Sequence, residues 1–131
     1  MMIELWRVIF EKIYYNEGKV HIGDNVMIGP NVTITTNLYP LVASERNVCW
    51  VPNRFPSGHK VYTKPIAIGD NVWICSNVTI CPGVTIDRNT VIGAGSVVTK
   101  NIPSNVLAYG VPCRAVRPIT ETDGVRERVS S

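Results

Sequence analysis

The side chains able to move protons, bind metals or hold phosphate are few in this chain. It has two histidines, His21 and His59, and four cysteines, Cys49, Cys75, Cys81 and Cys113. An imidazole titrates near pH 6.5 and is the natural general base at neutral pH. His59 stands beside Lys60 in an irregular, proline-containing stretch, where the plain expectation is a solvated loop histidine, and His21 stands in a Val-His-Ile run that reads as strand. The cysteines lack C-x-x-C spacing and a nearby histidine pair, so no metal is expected and a reduced, cytoplasmic chain is the better reading. Cys75, Cys81 and Cys113 occupy repeat or loop positions suited to small packing residues rather than to a nucleophile. Lys100, Arg114 and Arg117 gather late in the chain; alone, such cations are usually just solvated.

What must position these groups is legible in the composition. The 131 residues include 19 Val and 14 Ile against 4 Leu and 5 Ala, which favours strands over helices. Hydrophobic residues make up 45%, enough for one domain with a core, and only 18% are charged. The net charge of +3 is spread thinly, without the dense basic stripe of a nucleic-acid binder. The opening MMIELWRVIF is interrupted by Glu4 and Arg7 and followed by no small-residue cleavage site, so it does not read as a signal peptide. No apolar run approaches the roughly 20 residues of a membrane span, so no membrane is expected.

The Ile and Val residues have a period. Ile68, Ile74, Ile80, Ile86, Ile92 and Val98 recur every six residues, an arrangement with a chance of roughly one in four thousand for a given register. Four residues after each come Val72, Val78, Val84, Thr90, Ser96 and Ile102, mostly small or β-branched. Asn71, Asn77, Gly83, Asn89 and Gly95 form a further column of types that tolerate positive φ, as at a repeated turn. The same template runs earlier through Ile22, Ile28 and Ile34, with Asn25 and Asn31 at the turn. Register is lost between Ile34 and Ile68, so a loop at about 38–63, carrying Pro40, Pro52 and Pro56, must leave the repeat and return. Short strands turned every six residues predict an all-β solenoid of triangular coils, 18 residues per turn, with the Ile/Val column stacked inside. A helix does not fit a period of six, and sandwich strands do not keep a strict hexad. The expected organisation is an N-terminal segment and partial first coil over 1–21, the solenoid over 22–117 with the inserted loop 38–63, and a polar tail over 118–131.

On the pieces IGDNVMIGPNVTI, KPIAIGDNVWI, PGVTI, VIGAGSVVTKNIP and GVPCRAVRPI, the chain resembles the hexapeptide-repeat acyltransferases, which form left-handed parallel β-helices, and most of all the maltose/galactoside O-acetyltransferase group. The resemblance implies an acetyl-CoA-dependent O-acetyltransferase acting on a sugar or small hydroxylated acceptor. It also implies a homotrimer with each active site between neighbouring prisms and a coenzyme along the outer edge of the C-terminal coils. The family's coenzyme contacts fall on Ser76, Ala94, Thr99, Lys100, Arg114 and Arg117. The chemistry agrees, since coenzyme A carries a pyrophosphate and a 3′-phosphate for the three cations, and Ala94 with Gly95 leaves a low wall for a slender pantetheine arm.

The catalytic centre departs from the family. Its general-base histidine, followed by Pro at the start of the inserted loop, is matched by Tyr39 in TTNLYPLVASER, and a phenol with an ordinary pKa of about 10 is a poor base at pH 7. Tyr39 would serve as base only if acidified, or else as a donor to the developing oxyanion. His59 is the candidate replacement base if the insertion carries it into a neighbour's cleft; His21 is a lesser one. Trp50 and Phe55 in the insertion suit shielding of the site or an oligomer surface. An acidic acceptor-binding residue of the family is matched by Glu17, whereas an asparagine falls on Ile9 and an aspartate of the family's longer N-terminal segment has no counterpart. Two further readings stay open: a paralogue that binds coenzyme A but transfers slowly or not at all, and a structural solenoid without activity. A three-histidine zinc enzyme is excluded by the two histidines, and an ice-binding β-helix by the lack of a Thr-x-Thr ladder, of which Thr33 and Thr35 make one pair.

Overall fold

The computed structural model describes residues 18–46 and 62–125. Its strands are short and fall one per side of a triangular coil. The first coil comprises β1 (Val20–Ile22), β2 (Met27–Ile28) and β3 (Thr33–Ile34). The chain then leaves through β4 (Asn37–Leu38) and a single helical turn, α1 (Ala43–Arg46), and returns through β5 (Tyr62–Thr63). A second coil follows with β6 (Ile66–Ile68), β7 (Trp73–Ile74) and β8 (Thr79–Ile80), and a third with β9 (Thr85–Ile86), β10 (Val91–Ile92) and β11 (Val97–Val98). The last elements are β12 (Val106–Gly110) and β13 (Cys113–Pro118).

Each side of the triangle is a sheet of parallel strands, with one antiparallel strand, β13, added at the end of the second. The first has the order β1-β6-β9, the second β13-β12-β10-β7-β2 and the third β11-β8-β3. Register keeps each hexad isoleucine over its equivalent: Ile22, Ile68 and Ile86 on the first side, Ile28, Ile74 and Ile92 on the second, Ile34, Ile80 and Val98 on the third. From Ile68 to Val98 this column is fully buried, as are Val72, Val78, Val84, Thr90 and Ser96. The two columns together fill the prism, which is why a chain with so few Leu residues still has a continuous core.

The corners obey the turn column. Asn25, Asn71 and Asn89 adopt φ of 55°, 56° and 56°, a left-handed conformation that Asn tolerates better than other non-glycine residues. They also form a ladder, Asn25 Nδ2 donating to Asn71 Oδ1 at 3.4 Å, Asn71 Nδ2 to Asn89 Oδ1 at 3.1 Å, and Asn89 Nδ2 to Asn105 Oδ1 at 3.0 Å. Asn71 and Asn89 are 18 residues apart, but Asn89 and Asn105 only 16, so the last coil is two residues short. Buried Thr90 accommodates the shortening by donating to the Pro103 carbonyl at 2.8 Å.

The inserted segment is clamped at its base. Asn37 pairs with Thr63 and Leu38 with Tyr62 in an antiparallel ladder, and Lys64 N–H donates to the Thr36 carbonyl at 3.0 Å. The C-terminal end departs from a plain hexad solenoid, because β12 reverses through Gly110 and Cys113 into antiparallel β13. The segment read from sequence as a tail is in part folded back: Ile119 N–H donates to the Asn105 carbonyl at 2.9 Å, and Glu121–Asp123 form a 3-10 turn.

Candidate functional site

Three places on the prism carry the residues singled out by sequence. The first is the edge between the second and third sides. Here Ser76 stacks under Ala94, with Cys75 N–H donating to the Ile92 carbonyl at 2.9 Å and Gly95 N–H to the Ser76 carbonyl at 3.0 Å. Ser76 is partly buried, whereas Ala94 and Gly95 are exposed. Gly95 has φ 74°, and a Cβ built on it would meet nothing within 4 Å. The corners stacked with it are Asn31 and Asn77, both at φ 57°. Among the described residues this corner lacks a side chain only at Gly95, which leaves a shelf open to solvent.

The second place is the opposite edge of the third side. Thr35 N–H donates to the Ile80 carbonyl at 3.1 Å and Cys81 N–H to the Val98 carbonyl at 2.9 Å, so Thr35, Cys81 and Thr99 lie in one column. Thr99 and Lys100 are exposed at its end. The inserted segment leaves from this same edge two coils away, and Tyr39, just past β4, is exposed there. Thr36 beneath it is fully buried, and among the described residues its Oγ1 has no hydrogen-bond partner.

The third place is the terminal hairpin. Arg114 pairs with Tyr109 and Arg117 with Leu107, with a register shift between Leu107 and Ala108. Residues an odd number apart on a regular strand point to opposite faces. The extra residue on β13, at Val116, turns that parity over, so both arginines share the face of Leu107 and Tyr109. β13 also touches β11, which leads directly into Thr99 and Lys100. Arg114 Nη1 donates to the Cys113 carbonyl at 2.9 Å. Arg117 is engaged by Asp123, at 2.8 Å from Nη2, and the hydrogen bonds and charge of that carboxylate raise its pKa further.

The thiols near these places are not poised to react. Burial pushes Cys113 above its ordinary value, against smaller opposing effects of a Ser96 hydrogen bond and the Arg114 charge. Burial likewise raises Cys75. Both therefore stay protonated at neutral pH, which fits packing rather than nucleophilic roles. His21 is exposed on the first side, where it lines a groove of about 300 Å³ with Gly23, Asp70, Asp87 and Arg88. That groove lies on a different side from Ser76 and Ala94, whereas Thr99 and Lys100 stand at the edge where the third side meets the first. Glu17 and His59 lie outside the described residues, as do Trp50 and Phe55. Among the described residues no group of His, Cys, Asp and Glu is gathered that would hold a metal ion, and no helix is long and apolar enough to cross a membrane. The residue missed by sequence is Asp123; its one local signal was the capping pattern Thr120-x-x-Asp123.

Comparison with known proteins agrees with the hexad fold. Residues 65–100 match the model described as bacterial transferase hexapeptide (six repeats), and residues 19–38 match the hexapeptide repeat of succinyl-transferase. The galactoside O-acetyltransferase of Escherichia coli (strain K12) is 51% identical over 104 residues, which is 79% of this chain and 46% of that protein. The crystal structure of a maltose O-acetyltransferase from Clostridium difficile 630 is 52% identical with a TM-score of 0.68, over 79% of this chain and 50% of that one. A galactoside acetyltransferase in complex with coenzyme A is 49% identical with a TM-score of 0.72, over 82% of this chain and 49% of that one. The chain thus folds as a left-handed parallel β-helix of hexapeptide repeats. Within that class its matched part is similar to the galactoside and maltose O-acetyltransferases, and it spans about half the length of the curated relatives it matches.

Proposed function

We propose that the protein is an acetyl-CoA-dependent O-acetyltransferase acting on a hydroxyl of a sugar or a small hydroxylated acceptor. The observation that carries this reading is the open shelf at Ala94 and Gly95 above Ser76, because a Cβ at Gly95 would fill space that nothing in the chain occupies. The side chains present suit the coenzyme: Ser76 offers a hydroxyl beside the shelf, and Lys100, Arg114 and Arg117 offer charged donors for its phosphates. When bound, the coenzyme supplies a thioester as acyl donor. A base takes the acceptor proton as the oxygen attacks, backbone N–H groups receive the developing oxyanion, and the thiol leaves. No acyl-enzyme is needed.

The homotrimer with sites between subunits that the resemblance implies is compatible with the same placement. Ser76 and Ala94 occupy one edge of the third side, and Thr99 and Lys100 the other. A ligand touching all of them on one copy would have to lie flat across that side. A ligand in a groove between two prisms meets one edge from each, and Tyr39 stands where the inserted segment leaves the second edge. Light scattering on the purified protein reads the mass directly; a monomer would refute the shared site.

The experiment that tests the reading is a coenzyme A titration followed by thermal shift. No stabilisation at millimolar coenzyme removes any acyl-CoA role and leaves a structural solenoid. With binding in hand, thiol release from acetyl-CoA over a panel of sugars separates an active enzyme from a paralogue that only binds. Loss of residual rate in His59→Ala would assign the base to the inserted loop.

A further inference from the structure

Arg117 does not extend freely from β13. Along one end its guanidinium meets the Asp123 carboxylate, Nη1 donating to Oδ2 at 2.9 Å and Nη2 to Oδ1 at 2.8 Å. Nη1 also donates to the Pro118 carbonyl at 3.1 Å. The carboxylate is itself held. Thr120 N–H donates to Oδ2 at 2.9 Å, and Asp123 N–H closes the turn on the Thr120 carbonyl at 3.0 Å. Ile119 N–H, bonded to Asn105 at 2.9 Å, ties the whole turn to the last corner of the solenoid. Through this chain of bonds the backbone of the prism fixes the plane of one exposed arginine.

A guanidinium presents five N–H donors in a rigid fork, and it can grip an oxyanion with either its Nη1/Nη2 end or its Nε/Nη2 edge. Asp123 and Pro118 use the first, and among the described residues no partner takes the second. We propose that Asp123 is a positioning residue for Arg117: by engaging the Nη1/Nη2 end it holds the Nε/Nη2 edge ready for a phosphate of the coenzyme. The inference rests on the coenzyme reading above. Its physical basis is that a long, solvent-exposed side chain loses rotamer freedom when it grips a ligand, and a side chain already fixed loses less. The carboxylate charge opposes that of a phosphate, but at an exposed site this repulsion is screened. The shared face of Arg114 and Arg117 gives the held edge a second cation beside it.

A double-mutant cycle on coenzyme A binding, measured by titration calorimetry on the full chain, tests this. Asp123→Ala is expected to weaken binding about threefold to tenfold, the cost of ordering one long side chain, and Asp123→Asn, which keeps one acceptor, by less. Arg117→Ala is expected to weaken it about tenfold or more, and Asp123→Ala in that background to add nothing. Urea midpoints within error of the parent show that the turn has not loosened the prism. Unchanged or tighter binding in Asp123→Ala overturns the proposal, as does a loss that persists in full without Arg117, since Asp123 would then act by another route. If Arg117→Ala leaves the affinity unchanged, the phosphate role of Arg117 fails first and the proposal falls with it, an outcome distinct from failure of the Asp123 variants alone.

Discussion

Replacing Gly95 with asparagine separates the two duties of the open corner. Asparagine already holds the stacked corners at positions 31 and 77 with φ 57°, close to the 74° of Gly95. A Cβ at Gly95 meets nothing within 4 Å, so the substitution adds no clash inside the prism. The left-handed backbone costs an ordinary L-residue roughly 1–2 kcal/mol, less for Asn, and loss of glycine's freedom in the unfolded chain returns about 0.4–1 kcal/mol. Gly95→Asn should therefore change stability by less than about 1 kcal/mol, and Gly95→Ala should be the less stable of the two. Coenzyme affinity should behave differently, because the new side chain projects onto the shelf beside Ala94 and Ser76. Displacing a ligand from even part of its path costs at least about 1.4 kcal/mol, or tenfold in Kd. Urea unfolding gives the first quantity and calorimetric titration with coenzyme A the second. A variant as stable as the parent that binds coenzyme equally well would refute the assignment of the shelf. A variant that unfolds would refute the claim that this corner is structurally like its neighbours.

Three further outcomes follow from the same structure. Ile80, fully buried between Ile34 and Val98, should cost about 3 kcal/mol on truncation to alanine in urea unfolding, from the lost carbons and the cavity left behind; a cost below about 1 kcal/mol would mean the column is not the core. Tyr39→His should raise thiol release from acetyl-CoA at least about tenfold with a competent acceptor, the low end of general-base catalysis, and an unchanged rate would place the base elsewhere. Cys113 binds its proton more tightly folded than unfolded, so its contribution to stability should be constant below its ordinary value of 9.0 and decline as pH rises beyond it. Cys113→Ala should flatten that alkaline decline in urea midpoints, and a parent-like pH profile would contradict the direction of the shift.

The solenoid was legible because its physics is periodic. A buried residue every six positions and a left-handed corner three positions later leave the same two signatures in the sequence, and Ile68 to Val98 carry both without interruption. Where a coil shortens, the period fails. Asn105 holds the same corner as Asn89 at φ 59°, yet it lies 16 residues on, out of step with the count. The terminal hairpin was hidden for a related reason: its bulge at Val116 breaks the alternation by which an antiparallel strand is read. The placement of Ser76, Ala94, Thr99 and Lys100 on two edges follows from the hexad alone once the triangle is known. Arg117 was visible as a cation, but its engagement with Asp123 was not, because a contact made through a short turn has no periodic trace. Glu17 and His59 lie outside the described residues, and their roles rest on the resemblance.

The reversed strand at the C-terminal end also bears on how large a particle this chain can make. A stack of parallel coils is in principle an open-ended template, since every terminal strand presents unpaired N–H and C=O groups that a like strand from another copy can take up. Nothing in a six-residue repeat says where such growth stops. On the second side β13 already occupies the place a further coil would need, and it runs the opposite way, so an arriving copy finds no parallel partner there. The outermost residues of that strand, Arg114 and Arg117 among them, put charge where an edge would otherwise be a neutral ledge. On the second side, then, the hairpin that carries the phosphate-binding candidates leaves no edge along which the parallel coils would simply continue.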